Sequence, residues 1–128
     1  MADLTFCFTF ADLKRIKRTL ELSFINPIIR MVCENEDKAQ EMLGINTAFR
    51  LKSRLADMRA AKFVSELVAG SPGEINHDGI PAYKLELTTH ERIIFCSVHE
   101  NTPTLVNGSI DWHQVSRVKL ITIGSQLC

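Results

Sequence analysis

The feature that most constrains the fold is a pair of predicted strands, residues 82–88 and 92–99, separated by only Thr89-His90-Glu91. A connection this short can join two strands only in the antiparallel direction. A third strand is predicted at residues 117–123, after a long excursion of the chain. We therefore expect an antiparallel sheet organised around this hairpin.

The middle strand carries apolar residues on both of its faces. The alternating sets are Ile94, Cys96 and Val98 on one side and Ile93 and Phe95 on the other. This pattern predicts a strand inside a sheet that is covered on both faces. Arg92 is the exception, because its charge shares a face with Ile94. A guanidinium at such a strand end is either a functional group or a structural arginine held by a salt bridge.

Composition indicates a single domain and excludes several classes of protein. The chain has 128 residues, of which 45% are hydrophobic, enough to fill one core. Fifteen basic and fifteen acidic side chains balance, so any binding of nucleic acid must come from local clusters. The four cysteines are scattered without a C-x-x-C pair, which indicates neither a disulfide framework nor a zinc ribbon. We expect a cytoplasmic protein.

No membrane segment is predicted. The longest apolar runs fall far short of the roughly 18 residues that make a candidate membrane span. Near the N-terminus, Asp3 comes early and the basic residues follow the apolar ones, the reverse of a secretory signal.

The first nineteen residues have their own pattern. Residues 4–10 alternate strictly and predict a strand with an apolar face formed by Leu4, Phe6, Phe8 and Phe10. A helical pattern follows at residues 11–19, surrounded by Lys14, Arg15, Lys17 and Arg18. This basic cluster is either a solvated helix face, which we favour, or a contact for phosphate. A short strand is predicted at residues 22–25.

Capping residues mark the beginnings of the helices. Asn26-Pro27 resembles an N-cap followed by proline at the first helical position, and it predicts a helix through Cys33. Residues 36–43 continue helically until Gly44. Asn46 is predicted to cap the strongest helix, at residues 47–61, which would be about 22 Å long.

This strongest helix is amphipathic. Leu51, Leu55 and Met58 form one stripe, which predicts the side that packs on the sheet. The outer side carries four cations against the single acid Asp57, and it is either solvated or a contact for RNA or a partner. The four cations are Arg50, Lys52, Arg54 and Arg59.

The remaining segments predict turns. Residues 63–68 suggest one or two helical turns, and residues 70–73 and 76–79 carry turn-forming residues. Asp111 is expected to cap a turn through residues 112–115. Trp112 is interpreted as a lid over a sheet edge in preference to a platform for stacking bases.

Common catalytic sites are poorly supported, and the chemistry that remains is cationic. Cys96 and His99 would lie on opposite faces of a strand and cannot chelate a metal together. Cys96 among apolar neighbours is expected to be an inert core residue. Arg92, Lys84 and the helix arginines lie near the sheet, with His77 and His90 in its loops. Such a set can hold a phosphodiester and stabilise charge during acid-base cleavage of RNA.

Three motifs in order resemble the HigB-type host-killing toxins of the RelE/ParE superfamily. Residues 48–61, AFRLKSRLADMRAA, resemble the long helix of that group. Glu91-Arg92-Ile93-Ile94-Phe95 is similar to its "YRLIF" strand, and Asn107-Gly108-Ser109-Ile110-Asp111-Trp112 to the "DGGLDW" loop of a longer subgroup. Leu43-Gly44 also matches, and the resemblance covers residues 20–123.

The resemblance implies a RelE-like α+β domain, with two or more helices packed on an antiparallel sheet of three to five strands. This domain would span residues 20–128, and residues 1–19 would be an extension or the product of a misplaced start. It also implies a cytoplasmic bacterial toxin of a type II toxin-antitoxin pair that cleaves mRNA on the ribosome. The implied partners are a helix-turn-helix antitoxin and ribosome-bound mRNA, without cofactor, metal or membrane.

The resemblance also suggests residue roles. Arg92 occupies the position of the strand arginine that contacts the scissile phosphate, and His77 is a candidate acid or base. The candidate RNA contacts are Lys84, Arg54, Arg59 and Lys62. The relatives' C-terminal Tyr-His has no counterpart at Ser125-Gln126-Leu127. Two alternatives therefore stay open, a non-catalytic module that binds an antitoxin and a toxin with a non-ribosomal target.

Overall fold

A computed structural model of the protein describes residues 19–124. The predicted strand at residues 4–10, the basic cluster after it and the C-terminal residues 125–128 lie outside the described part. So does nearly all of the proposed extension at residues 1–19.

Three α-helices and five strands form the described part, which confirms an α+β fold. The elements are β1 (Glu21–Phe24), α1 (Pro27–Glu34), α2 (Glu36–Leu43), α3 (Ile45–Ala60), a 3₁₀ turn (Val64–Glu66), β2 (Gly73–His77), β3 (Ile80–Glu86), β4 (Arg92–Ser97) and β5 (Arg117–Gly124).

The sheet is mixed, and the expectation of a wholly antiparallel sheet is therefore wrong. Its order is β1-β5-β4-β3-β2. Strands β2 to β5 form an antiparallel meander, whereas β1 pairs with β5 in parallel, with Leu22 opposite Val118. Parallel pairing requires a long crossover between the two strands. Here the three helices and strands β2 to β4 lie between β1 and β5 in the chain.

The central hairpin is antiparallel, as predicted, with Tyr83 opposite Phe95 and Glu86 opposite Arg92. Strand β3 ends at Glu86 because the amides of Leu87 and Thr88 both donate to the carbonyl of Glu91 and close the turn.

Strand β2 was not predicted, because its residues are rich in turn formers. It pairs with β3 through a tight connection at Asp78-Gly79, where both residues have positive φ angles of 52° and 83°. Such a pair matches the two-residue turn that suits the twist of a hairpin. The turn predicted at residues 76–79 is confirmed. The sequence analysis missed the strand that precedes it.

The main core lies between the helices and one face of the sheet. Leu51, Leu55 and Met58 are buried, which confirms the predicted inner side of α3. They belong to the same cluster as Ile93 and Phe95 of β4. On the opposite face, Ala82, Ile94 and Ile121 form a smaller buried cluster. Strand β4 is therefore buried on both faces at Ile93, Ile94 and Phe95, as predicted. Val98, which was assigned to the same strand, lies beyond its end and is exposed.

The helix starts agree with the sequence in one case and differ in another. Asn26 caps α1, and its side-chain oxygen accepts from the amide of Ile29 at 2.8 Å. Helix α3, however, begins at Ile45 after Gly44, so Asn46 lies within its first turn and does not cap it. Gly44 has a φ of 90°, a conformation that glycine adopts without a steric cost.

Asp111 and Trp112 stabilise the approach to β5. Asp111 accepts from the amide of His113 and from the side chain of Gln114, so the predicted turn is confirmed. Trp112 is only 7% exposed, and its ring centroid lies 4.8 Å from that of Tyr83 in the interior strand β3. It packs into the main core, which excludes a role in stacking bases; it is not a lid over an edge strand.

Candidate functional site

A polar cleft of about 940 Å³ lies between the first half of α3 and the connection from β3 to β4. One helix face supplies part of its wall, because residues spaced by three and four share a side of a helix. The lining residues are Asn46, Phe49, Arg50, Ser53 and Arg54 of α3, Gly70 and Ser71 of the turn before β2, and Glu86, Leu87, Thr88 and Thr89.

Arg54 is the less exposed of the two arginines that line this cleft. Its side chain is only 17% exposed, and its Nη1 donates to Asp57 Oδ2 at 2.8 Å. Its Nε is buried and has no hydrogen-bond partner among residues 19–124. A buried N–H group without a partner costs about 1–3 kcal/mol.

Gly70 allows Arg54 to lie against the turn. Its φ is 90°, and a Cβ added there would lie 3.1 Å from both Arg54 Cδ and the carbonyl oxygen of Glu86. The Gly70 carbonyl accepts from the amide of Glu86 at 2.6 Å, which joins the turn to the end of β3. Any larger side chain would push these groups apart.

Glu91 fixes the other wall of the cleft to α3. Its Oε1 accepts from Thr47 Oγ1 at 2.6 Å and from Thr88 Oγ1 at 3.2 Å. One carboxylate thus ties the first turn of α3 to the loop that carries Thr88 and Thr89. The width of the cleft depends on this contact.

The charge of the cleft is positive. Glu86 is the one acidic residue among the described lining residues, and Lys84 Nζ lies 2.7 Å from its Oε2. The hydrogen bond and charge of Lys84, with the charge of Arg92, lower the pKa of the Glu86 carboxyl. Arg50 is exposed and has no ion pair within the described residues. No described acidic side chain therefore pairs with Arg50.

Arg92 and Lys84, two of the predicted site residues, both lie next to Glu86. Arg92 lies opposite Glu86 in the register, and Lys84 is bonded to the same carboxylate. Both are on the sheet face that carries Ile94, away from the helices. Arg92 is exposed, and it does not line the cleft. The loop from Leu87 to Glu91 separates it from Arg54.

The other predicted residues are dispersed. His77 lies four residues along β2 from Gly73, the partner of Lys84, or about 13 Å away along the strand. Its Nε2 is 3.8 Å from the carboxylate of Asp78. The structure therefore does not bring His77 to Arg92.

The cations predicted on the outer side of α3 lie in different surroundings and do not form one patch. Lys52 pairs with Glu36 at 3.6 Å, and Arg59 lines a separate cavity of about 230 Å³ beside Cys33. Lys62 lies after the helix, with its Nζ 5.4 Å from the centroid of the Phe63 ring. Among the predicted RNA contacts, only Arg54 lines the cleft.

Burial favours the neutral form of the two described cysteines, Cys33 and Cys96. Burial raises the pKa of the Cys33 thiol to about 12, and burial also raises the pKa of Cys96. A neutral thiol is a poor nucleophile, which agrees with the expectation of an inert Cys96. Cys96 is, however, only partly buried beside the smaller cluster and is not a fully buried core residue. Among residues 19–124, no group of three histidine, cysteine or acidic side chains is arranged to bind a metal ion.

Sequence reasoning missed most of the cleft. It identified Arg50 and Arg54 but not Phe49, Gly70 or Glu91. A usable signal was the pair Thr88-Thr89, two hydroxyl side chains at the end of the predicted hairpin.

Within the described range, no helix is long and apolar enough to cross a membrane. Comparisons of the chain with protein-family models, with curated proteins and with solved structures found no significant match.

Proposed function

We propose that the protein binds RNA through the cleft between α3 and the β3–β4 connection. In this proposal it acts as a RelE/HigB-type toxin of a type II toxin-antitoxin pair and inhibits translation by cleaving ribosome-bound mRNA. The observation that carries the proposal is the pair of arginines that line the cleft: Arg54, which is largely buried and held by Asp57, and Arg50, which is exposed and has no ion pair among the described residues.

An RNA phosphate suits this arrangement. The guanidinium group is planar and presents several donors that match phosphate oxygens. Asp57 occupies one nitrogen of Arg54 and so fixes the plane of the group. Ser53, Ser71, Thr88 and Thr89 add hydroxyl groups around the same space. Together they provide charge and hydrogen bonds without a requirement for one base sequence.

The resemblance supports the same proposal. The helix that resembles the toxins' long helix is α3, which forms one wall of the cleft. The order of elements, a strand, then helices, then an antiparallel meander, is compatible with the RelE-like fold that the resemblance implies. A cytoplasmic location and a helix-turn-helix antitoxin as partner belong to this proposal.

Arg92 is the proposed catalytic arginine. It follows directly after the loop that carries Thr88 and Thr89, so an RNA strand that leaves the cleft over this loop can reach it. Lys84 lies beside Arg92 at Glu86 and would contribute a second positive charge. His77 is too distant to share a phosphate with Arg92. His90 is closer along the chain, because it lies in the β3–β4 connection that directly precedes Arg92.

The test is expression of the full chain from a tight promoter in a bacterial host, with addition of purified protein to a translating extract. We expect growth arrest and cleaved mRNA with the wild type, and loss of both with Arg54→Gln or Arg92→Ala. Arg117→Gln is the matched control, because Arg117 is an exposed arginine that pairs with Glu21 at 3.1 Å. Normal growth and intact mRNA with the wild type would contradict the proposed nuclease activity.

A second candidate is a catalytically degenerate module that binds RNA and an antitoxin without cleavage. It is favoured by the composition of the cleft, since none of the described residues that line it is histidine and its one carboxylate is paired with Lys84. Retained RNA binding by purified protein, with intact mRNA in the translating extract, would select this function over the nuclease.

A further inference from the structure

Phe49 is an exposed aromatic side chain at a polar site. It is 69% exposed, and it lines the cleft next to Arg50 and one turn before Ser53. The core side of α3 is formed by Leu51, Leu55 and Met58, so Phe49 makes no contribution to that stripe. A single exposed apolar side chain is common on protein surfaces. What distinguishes Phe49 is its place in the lining of a polar cleft that also contains two arginines.

The surroundings of Phe49 indicate the kind of ligand. Its neighbours in the cleft are Asn46, Arg50, Ser53 and Arg54, which offer amide, hydroxyl and guanidinium groups. A ligand that fits must combine a flat apolar face with anionic groups a short distance away. A nucleotide has both parts, because its base has an aromatic face and its phosphate is negative.

We propose that Phe49 is a stacking platform for an unpaired nucleobase while Arg50 and Arg54 hold the adjacent phosphates. The inference rests on the proposed binding of RNA and narrows it to single strands. In a duplex the bases are stacked and paired inside the helix, so their faces cannot reach the Phe49 ring. The cleft thereby discriminates single-stranded from double-stranded RNA.

Ile45 provides a matched control. It lies one turn before Phe49 on the same helix, it is 71% exposed, and it does not line the cleft. Removal of either side chain takes away exposed apolar surface from α3, but only Phe49 can contact a base in the cleft.

The test measures binding of the full chain to short labelled oligoribonucleotides by fluorescence anisotropy. The probes are a single strand, its duplex and the same single strand with abasic sites. We expect Phe49→Ala to weaken binding of the single strand by about tenfold or more and Ile45→Ala to leave it unchanged. The abasic strand should bind the wild type and Phe49→Ala equally, because neither complex contains a stacked base.

A second variant gives a direct signal of stacking. Phe49→Trp should retain binding, and its new exposed indole should be quenched by the single strand but not by the abasic strand. Trp112 is buried and adds only a constant background.

The outcomes separate the two proposals. Unchanged binding by Phe49→Ala, with binding lost in Arg54→Gln, would overturn the stacking role alone and leave the RNA cleft in place. No binding of any probe by the wild type would overturn both.

Discussion

At the scale of single residues, Gly70 shows how a backbone position can control a functional side chain. Its φ of 90° is strained for other residues, and an added Cβ would lie only 3.1 Å from Arg54 and Glu86, so these groups would have to shift. Arg54 therefore depends on a glycine that is distant in the sequence.

We predict that Gly70→Ala lowers the free energy of unfolding by about 1–3 kcal/mol. The alanine would be strained at a positive φ, and its Cβ would crowd Arg54 and Glu86. It should also weaken RNA binding, because the new Cβ displaces Arg54. Urea denaturation and oligonucleotide binding measure the two effects.

Gly79→Ala is the control for backbone strain. Its φ of 83° is similar, but nothing lies within 4 Å of an added Cβ. It should therefore lose stability through strain alone and keep its RNA binding. Equal RNA affinity for the Gly70→Ala variant and the wild type would show that Gly70 does not position Arg54.

At the scale of elements, the cleft exists because a loop is attached to a helix. Glu91 accepts hydrogen bonds from Thr47 in α3 and from Thr88 in the loop, and the shorter one, at 2.6 Å, comes from Thr47. Thr47 is buried, so water cannot easily replace its hydroxyl group.

We predict that Thr47→Val lowers the free energy of unfolding by about 1–3 kcal/mol, because it removes a hydrogen bond to a charged group and keeps the side-chain shape. Thr88→Val should cost less, since its bond to the same oxygen is longer and the residue is only half-buried. Chemical denaturation of the two variants tests the order. A larger loss in Thr88→Val would mean that the loop is held in another way.

Elements with strong local patterns could be predicted from the sequence. The β3–β4 hairpin, the capped start of α1 and the inner stripe of α3 each depend on neighbouring residues. Strand β2 could not be predicted, because Gly73, Asn76 and His77 do not favour a strand and are ordered by pairing with β3. Asn46 was assigned as a cap because the sequence does not reveal the backbone conformation of Gly44.

At the scale of the whole molecule, the surroundings of the candidate site could not be predicted from the sequence. Arg50 and Arg54 stand out in the sequence as cations one turn apart. Their surroundings come from segments that are separated by tens of residues, and only the packing of α3 against the sheet brings them together. For the same reason the sequence could not show that Arg92 and His77 lie apart.

Global stability should depend on the ionisation of Cys33 in alkaline solution. Burial raises the pKa of this thiol from 9.0 to about 12, so above pH 9 the unfolded chain loses a proton that the folded chain keeps. The folded state then binds more protons, and its stability falls as the pH rises. We predict a loss of about 1 kcal/mol per pH unit between pH 9 and 12.

The measurement compares urea denaturation of the wild type and Cys33→Ala at pH 8, 9, 10 and 11. Other groups that titrate in this range contribute equally to both proteins, so the difference between them isolates Cys33. Parallel pH profiles would contradict the assignment of a buried, neutral thiol.

The parallel pairing of β1 with β5 has a consequence for biosynthesis. Glu21 and Arg117, which are bonded across this pair, are 96 positions apart in the chain. At a synthesis rate of about 5–20 residues per second, β1 leaves the ribosome about 5–20 seconds before its partner. During that delay β1 lacks its neighbour in the sheet, so the nascent chain exposes an unpaired strand until β5 has been translated.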